Sequence, residues 1–271
     1  KRLNHVNSEI ESVGGVLLQT DKSGKFAVLS KDEFSCRVNE AMKTLFKPCS
    51  TDLKRVKKEI VNRLQACDLN KLARQISSVR QDTCTKKFLV KDHKVNYPLR
   101  VVLNEIGSWQ NVISSFLQKC LAHVRIETSL SIKNSEEVLE QIGKFHGTKR
   151  YIGSLDIKDL YYSINKTILF NRFRNMLELD LVGFQSRAGI AIEDFLFLLQ
   201  KYLTCNVLKQ EETLMTQKDG ICIGSKIAPI LSEVYLNVLD CVGAAIMEQK
   251  GKDNVYITRY VDDILICTKD E

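Results

Sequence analysis

Apolar residues recur at three- and four-residue spacing in several parts of the chain, which predicts amphipathic helices. The first two have candidate N-caps, Asp32 for one and Thr51 or Asp52 for the other, because these side chains can accept hydrogen bonds from a first helical turn. Pro229 lies in the first turn of a later, long helix, where its missing N–H costs least. The predicted helices cover residues 33–46, 53–66, 108–124, 135–146, 165–178 and 189–205, and a long segment after Pro229.

Short apolar and β-branched runs that end at polar turns predict strands and hairpins. Single strands are predicted at 26–29 and 151–157, and hairpins within 88–103, 206–217 and 254–268. Strands and helices in this order predict an α+β fold with an antiparallel sheet.

Composition indicates a folded protein with a positive net charge but does not indicate a specific function. The chain has 271 residues, enough for one large or two modest domains, and its hydrophobic fraction of 44% excludes a disordered chain. The net charge of +7 suits a polyanionic partner without establishing one. Four cations cluster at Lys54, Arg55, Lys57 and Lys58. They form either a solvated helix face or a contact with a nucleic-acid backbone.

Cysteine and histidine usage indicates a reduced, intracellular protein. The nine cysteines are odd in number, include no CxxC pair and mostly lie in apolar runs, so neither disulfides nor a zinc site is expected. The histidines, at positions 5, 93, 123 and 146, lack metal-ligand spacing. The longest apolar runs are too short for a membrane span, so no membrane partner is expected. The chain does not begin with Met and stops directly after a strand-like run, so we interpret it as a piece of a longer protein.

Three aspartates stand in apolar surroundings in the second half of the chain. Asp156 lies in an otherwise apolar strand, and Asp262 and Asp263 separate two β-type runs with no Gly or Asn to form the turn. Each has an ordinary explanation as a turn or strand-end residue. An ionised carboxylate in such a place is nevertheless costly unless it is solvated, paired or bound to a cation. If Asp156 and Asp262 lie on neighbouring strands, their carboxylates converge on a site that suits Mg²⁺.

A pair of such ions about 4 Å apart forms the clamp used for nucleotidyl transfer. Because adjacent strand residues point to opposite faces, Asp262 and Asp263 cannot serve identically, and one of them has a lesser role. A loop of small residues, Gly220, Gly224 and Ser225, precedes the long helix. Small residues permit close approach of a flat ligand such as a nucleotide or a base pair, although a glycine-rich helix entry alone also explains them.

These segments resemble the catalytic motifs of reverse transcriptases. DIKDLY at 156–161 is similar to the first palm motif, GSKIAPILSEVYL at 224–236 to the second, and YVDD at 260–263 to the third. Upstream, TDKSGKFAVLSKDEF and KDHKVNYPLRVVLNEIGSW resemble an upstream motif and the fingers motif of Penelope-like retroelements. The resemblance runs from about residue 20 to the end of the chain, with departures at Val101, Ile223 and Ala228.

The resemblance assigns roles to individual residues. Asp156 and Asp262 would bind two Mg²⁺ ions, with Mn²⁺ as an alternative, and Asp263 would support them. Tyr161 would be the steric gate beneath the sugar that excludes a 2′-OH. The remaining substrate contacts would come from the backbone of Asp159 and Leu160, from Gly224, and from the cations Lys91, Lys94 and Arg100 on the phosphates.

The resemblance implies the α+β fingers and palm of a right-hand polymerase, with an antiparallel palm sheet packed on helices and the thumb missing. Residues 1–85 would form a mostly helical region leading into the fingers, 86–150 the fingers, and 151–271 the palm. The implied activity is RNA-directed DNA synthesis by a retrotransposon enzyme, using an RNA template, a DNA primer and dNTPs, inside the cell and in the nucleus. A group II intron-type or telomerase-type enzyme and an inactive nucleic-acid-binding remnant are the alternatives, and the sequence leaves the oligomeric state open.

Overall fold

The computed structural model describes residues 2–126, 130–143 and 149–269. Its helices are α1 (Arg2–Ser12), α2 (Lys31–Leu45), α3 (Leu53–Ala66), α4 (Asn70–Ser78), α5 (Trp109–Leu121), α6 (Ser135–Gly143), α7 (Leu160–Ser163), α8 (Lys166–Leu179), α9 (Leu181–Ala188), α10 (Ile192–Thr204) and α11 (Ala228–Lys250). Its strands are β1 (Gly15–Thr20), β2 (Phe26–Ser30), β3 (Phe46–Pro48), β4 (Thr85–Val90), β5 (Leu99–Asn104), β6 (Tyr151–Asp156), β7 (Val207–Gln210), β8 (Thr213–Gln217), β9 (Val255–Tyr260) and β10 (Asp263–Thr268).

Most of the predicted helices are confirmed, and the first two show how capping sets their boundaries. Helix α3 covers the predicted range, and the Asp52 carboxylate caps it by accepting a hydrogen bond from the Arg55 N–H at 3.0 Å. Helix α2 begins earlier than predicted because Ser30, not Asp32, is its N-cap. Helix α6 ends at Gly143, and the remainder of its predicted range, with the histidine at position 146, lies outside the described residues.

The chain divides into two compact units. Unit 1 comprises Lys1–Leu117 and Phe197–Lys226, and unit 2 comprises Gln118–Leu196 and Ile227–Glu271. Both units are therefore assembled from segments that are distant in sequence. The assignment of residues 1–85, 86–150 and 151–271 to polymerase subdomains is functional and stays a prediction.

Unit 1 contains two sheets. The larger has the strand order β2-β1-β4-β5, in which β1 runs antiparallel to β2 and parallel to β4, and β4 pairs antiparallel with β5. On β5, Leu99, Val101 and Leu103 are buried while the alternate residues are partly exposed, so one face of this strand lies in the core. Val38 and Met42 of α2 belong to the same core. The smaller sheet has the order β3-β8-β7, and the predicted hairpins β4–β5 and β7–β8 are confirmed.

Unit 2 contains one antiparallel sheet with the order β6-β10-β9. Helix α11 packs against β9 and α8. Its first turn contains the predicted proline, Pro229. The predicted α+β class, with antiparallel pairing in every sheet, is confirmed.

Helix α11 corrects one expectation from the sequence. In the described part of the chain it is the one helix long and apolar enough to cross a membrane, with a mean hydropathy of 1.6 over its most apolar stretch, whereas no run of sufficient length was expected. A third of that stretch, 33%, is buried inside the protein. A single helix of this kind is weak evidence for a membrane, because core helices of folded domains pass the same test.

The N-cap of α3 provides a test of the local structure. Asp52→Ala removes the acceptor for the Arg55 N–H and should lower the free energy of unfolding by about 1 kcal/mol. The measurement is urea denaturation. Thr51→Ala, one residue earlier, is the matched control and should have little effect, and equal losses in both variants would contradict the capping assignment.

Candidate active site

Strands β9 and β10 form a hairpin that carries two of the three aspartates. Tyr260 pairs with Asp263, so Val261 and Asp262 form a two-residue turn. Val261 has a φ of 55° and Asp262 is not in the left-handed region, which is the pattern of a type II′ turn. A positive φ is unusual for a β-branched residue and costs on the order of 1–3 kcal/mol. The surroundings of the turn must therefore stabilise a backbone conformation that valine does not favour.

Strand β6 brings the third aspartate to this turn. Asp156 is paired directly with Asp263, and the N–H of Ile157 donates to the carbonyl of Asp262 at 3.0 Å. Directly opposed residues of an antiparallel pair share one face, with Cβ atoms roughly 4.5–5.5 Å apart. The register thus gathers the three aspartates at one end of the sheet, with Asp156 and Asp263 exposed and Asp262 half-buried. This pairing does not rank Asp262 above Asp263, and the proximity of the Asp156 and Asp262 carboxylates stays a prediction.

The donor chemistry at this hairpin fits a magnesium ion. Like charges placed directly opposite each other destabilise a strand pair, and a bound cation would offset that repulsion. Within the described ranges, no group of three or more His, Cys, Asp or Glu side chains forms a ready-made metal cluster. Mg²⁺ usually retains several waters and takes one or two carboxylates together with substrate phosphate oxygens. The aspartates therefore fit an ion that takes most of its ligands from water or a bound substrate, and binding of such an ion here stays a prediction.

After β6 the chain passes through Asp159 into the short helix α7. Asp159 is exposed and adopts the left-handed conformation with a φ of 50°, whereas Leu160 is buried. Tyr161 and Tyr162 are both half-buried, so burial does not separate the predicted gate from its neighbour. The N–H of Tyr162 donates to the Asp159 carbonyl at 2.8 Å and closes the turn. The substrate contacts of Asp159, Leu160 and Tyr161 stay predictions.

The three predicted phosphate-binding cations lie on or beside the β4–β5 hairpin of unit 1. Lys94 is exposed and Lys91 half-buried in the connecting loop, and Arg100 lies on β5. Nη1 of Arg100 is 3.1 Å from Oδ1 of Asp21, an almost fully buried carboxylate that the sequence pattern did not single out. The other carboxylate oxygen of Asp21 and Nε of Arg100 are buried with no hydrogen-bond partner in the described part of the chain. Arg100 is therefore already paired with an acid from the upstream motif.

Gly224 is required by the backbone of unit 1. Its φ is +99°, and a Cβ at this position would come within 2.4 Å of the carbonyl oxygen of Leu103 and 2.8 Å of the side chain of Val102. The N–H of Leu103 also donates to the carbonyl of Ile223 at 3.0 Å. The small residue thus permits the close approach of the protein's own strand β5. The contact of Gly224 with substrate stays a prediction.

A buried polar network holds the same loop, and the sequence reading did not identify it. The Glu105 carboxylate accepts a hydrogen bond from the hydroxyl of Tyr202, and that hydroxyl is 2.5 Å from the hydroxyl of Ser225. All three residues are buried. Burial raises the pKa of Glu105, against an opposing effect of the Tyr202 hydrogen bond. The available signal was an acidic residue directly after β5, two positions beyond the apolar Leu103.

A cavity of about 320 Å³ lies elsewhere in unit 2. Its walls include Val124, Leu177, Phe184 and Cys241, with Arg125 and Asp180 as charged members. None of the predicted site residues lines this cavity, so it gives no reason to place the active site there.

Comparison with known proteins adds independent information. Residues 42–271 match the family model described as reverse transcriptase (RNA-dependent DNA polymerase). Among curated proteins, none matches the chain. Similar solved structures include apo telomerase from Candida tropicalis truncated from the C-terminal domain, with a TM-score of 0.63, 12% identity, and coverage of 95% of this chain and 53% of that one.

Two further telomerase structures show the same likeness. Telomerase from Candida albicans in complex with a TWJ fragment of telomeric RNA has a TM-score of 0.65 and 13% identity, covering 99% of this chain and 47% of that one. Apo telomerase from Candida tropicalis has a TM-score of 0.65 and 12% identity, covering 96% and 48%. This chain spans about half the length of these structures, and at such low identity the likeness shows a shared fold.

The buried carboxyl of Glu105 predicts a pH-dependent stability. The pKa of Glu105 is raised in the folded state, so the folded protein binds the proton of this carboxyl group more tightly than the unfolded chain does. In the unfolded chain, glutamate has a pKa of about 4.3. That stabilisation is fully present below the unfolded pKa and is lost as the pH rises through the folded pKa. Glu105→Gln keeps an acceptor for Tyr202 and does not ionise, so it should gain stability relative to the wild type as the pH rises above about 4.3.

The measurement is the free energy of unfolding in urea at a series of pH values. Glu40→Gln, on the exposed side of α2, is the matched control for loss of one carboxylate. If the two variants differ from the wild type by the same amount at every pH, the assignment of the titration to Glu105 is wrong.

Proposed function

Because this chain belongs to the reverse transcriptase family, we propose that the β9–β10 hairpin and the end of β6 form the active site of an RNA-directed DNA polymerase. The observation that carries the proposal is the register that pairs Asp156 with Asp263 beside the Asp262 turn. It gathers acidic oxygens at an exposed sheet end, as nucleotidyl transfer requires. The family match and the fold of the telomerase structures support it independently.

The proposed reaction joins a dNTP to a primer. The 3′-hydroxyl of the primer releases its proton to solvent as its oxygen forms a bond to the α-phosphorus, the bond from that phosphorus to the bridging oxygen breaks, and pyrophosphate leaves with the electron pair. Bound Mg²⁺, with Mn²⁺ as an alternative, would supply activation of the hydroxyl and neutralisation of the leaving group. Asp156 and Asp262 would hold the ions, and Asp263 would support them. Their role is positioning and charge stabilisation rather than covalent chemistry.

The substrate contacts follow from the same assignment. Lys91, Lys94 and Arg100 would bind nucleotide phosphates, Arg through a planar fork and Lys as a point charge. Backbone N–H groups of Asp159 and Leu160 would contact the triphosphate as well. The partners are an RNA template, a DNA primer and dNTPs. The RNA fragment in the similar Candida albicans structure supports an RNA partner.

Two subtypes of reverse transcriptase have specific support. The segments at 20–34 and 91–109 favour a Penelope-like retrotransposon enzyme, because both resemble motifs of that group. The telomerase folds favour a telomerase-type enzyme. A nuclear location would suit either. Primer extension on unrelated templates separates them, since a general retroelement enzyme should copy many templates and a telomerase-type enzyme should prefer one short template.

The metal assignment predicts the effect of removing one carboxylate. Asp262→Asn should lower primer extension by about a hundredfold or more in the full-length protein, because a neutral amide holds a divalent ion poorly. Affinity for primer–template should change little, since it rests on cationic contacts with phosphates and depends steeply on salt. Asp253→Asn, at an exposed position before β9, is the matched control. Normal extension by Asp262→Asn would overturn the assignment.

The gate assignment predicts a change in sugar selection. Tyr161→Ala should raise rNTP incorporation relative to dNTP by roughly tenfold or more, because relief of an overpacked 2′-OH is worth about 1–3 kcal/mol. Tyr162→Ala, a half-buried neighbour on α7, should leave the ratio unchanged. The measurement is the ratio of incorporation efficiencies for each sugar. An unchanged ratio in Tyr161→Ala would remove the gate and leave the metal site untouched.

A further inference from the structure

Arg259 lies on β9, three residues before Asp262, and its side chain is 0% exposed. An arginine carries five N–H donors in a fixed planar arrangement. All five have an acceptor here. Nε and Nη2 donate to the two oxygens of Asp240, each at 2.7 Å. Nη1 and Nη2 donate to the two oxygens of Glu233, at 3.2 and 2.9 Å, and the remaining Nη1 bond goes to the carbonyl of Val261 at 2.9 Å.

The two acids belong to α11. Glu233 and Asp240 are seven residues apart, so they lie on one face of the helix, two turns from each other. Asp240 is 1% exposed and Glu233 is 28% exposed. Burial lowers the pKa of the guanidinium, but the hydrogen bonds from the two carboxylates more than offset that effect, and the pKa is raised overall. The group is therefore a permanent cation between two fixed anions.

The fifth hydrogen bond connects this buried cluster to the turn. The carbonyl of Val261 lies in the same rigid plane as the peptide N–H of Asp262. A hydrogen-bond donor that holds this carbonyl therefore also holds the peptide plane that joins Val261 to Asp262. Val261 has the unfavourable positive φ. A hydrogen bond to its carbonyl therefore stabilises the backbone at the residue that is strained.

We propose that Arg259 is a positioning residue for the aspartate turn, clamped by Glu233 and Asp240 of α11 so that its last N–H holds the Val261–Asp262 peptide in place. The inference rests on the proposed function of the hairpin. A purely structural ion cluster would only attach β9 to α11, and apolar residues of similar volume often serve that purpose equally well. Apolar residues, however, could not donate the hydrogen bond that Arg259 makes to the Val261 carbonyl in the turn.

Arg259→Lys is the primary test. Lysine keeps the positive charge, but its single ammonium group cannot make paired hydrogen bonds to both carboxylates and also reach the Val261 carbonyl. In the full-length protein, the Mg²⁺ concentration for half-maximal primer extension should rise by about tenfold or more, since small displacements of a site group have effects of that size. Binding of Mn²⁺ to the complex with primer–template, followed by electron paramagnetic resonance, should weaken in parallel. This second readout does not depend on turnover.

Thr258→Val is the matched control. Thr258 is the buried neighbour on β9, and its hydroxyl donates to the Leu130 carbonyl at 2.8 Å. That carbonyl keeps a second donor, the N–H of Arg259 at 2.7 Å, so the variant loses one buried hydrogen bond without touching the turn. Its thermal stability should fall while its Mg²⁺ requirement stays that of the wild type.

If Arg259→Lys does not fold, Glu233→Gln provides the test. This variant weakens the interaction of Arg259 with residue 233 and leaves its ion pair with Asp240 intact. It should raise the Mg²⁺ requirement in the same direction and by less. An unchanged Mg²⁺ requirement and unchanged Mn²⁺ binding in a folded Arg259 or Glu233 variant would overturn the inference. Full activity of Asp262→Asn would instead overturn the proposed function, so the two failures are distinguishable.

Discussion

The hydrogen-bond register between β6 and β10 is the constraint on which the candidate site depends. It pairs Asp156 with Asp263 and ties Ile157 to the carbonyl of Asp262. A slip of one residue would turn every side chain of one strand to the other face and would separate the acidic groups. The two-residue turn of the β9–β10 hairpin fixes only the pairing of β9 with β10, so the register of β6 against β10 depends on the hydrogen bonds and packing between those two strands themselves.

Acidic groups of this protein are stabilised in two different ways. Glu105 and Asp240 are buried, the first among hydroxyl groups and the second against the guanidinium of Arg259. Asp156 and Asp263 are exposed and oppose each other across a strand pair. Buried charges need internal partners to offset desolvation, whereas exposed carboxylates can take a cation from solvent. The contrast separates buried acids, which depend on internal hydrogen-bond partners, from exposed acids that can bind a cation.

Unit 1 shows a similar relation between structure and proposed function. Gly224 and the Glu105 network position one loop against β5, and β5 also carries Arg100, paired with Asp21. Residues that resemble substrate-binding motifs are therefore part of the packing of their own unit. A substitution at these positions would therefore alter the fold as well as any contact with nucleotide.

Local sequence determined the elements whose causes are local. The cap at Asp52, the range of α3, the hairpins and the long helix containing Pro229 follow from patterns within a few residues. The aspartates and their motifs were also visible, because charge in an apolar run is conspicuous.

Only the tertiary structure decided which distant residues meet. The pairing of Asp156 with Asp263, the Asp21 partner of Arg100 and the clamp on Arg259 join segments far apart in the chain, and no spacing rule encodes them. Strand β1 escaped prediction for the same reason, since its stability comes from β2 on one side and β4 on the other. Strand pairing and buried charge compensation are long-range interactions, and their energies exist only once the chain has folded.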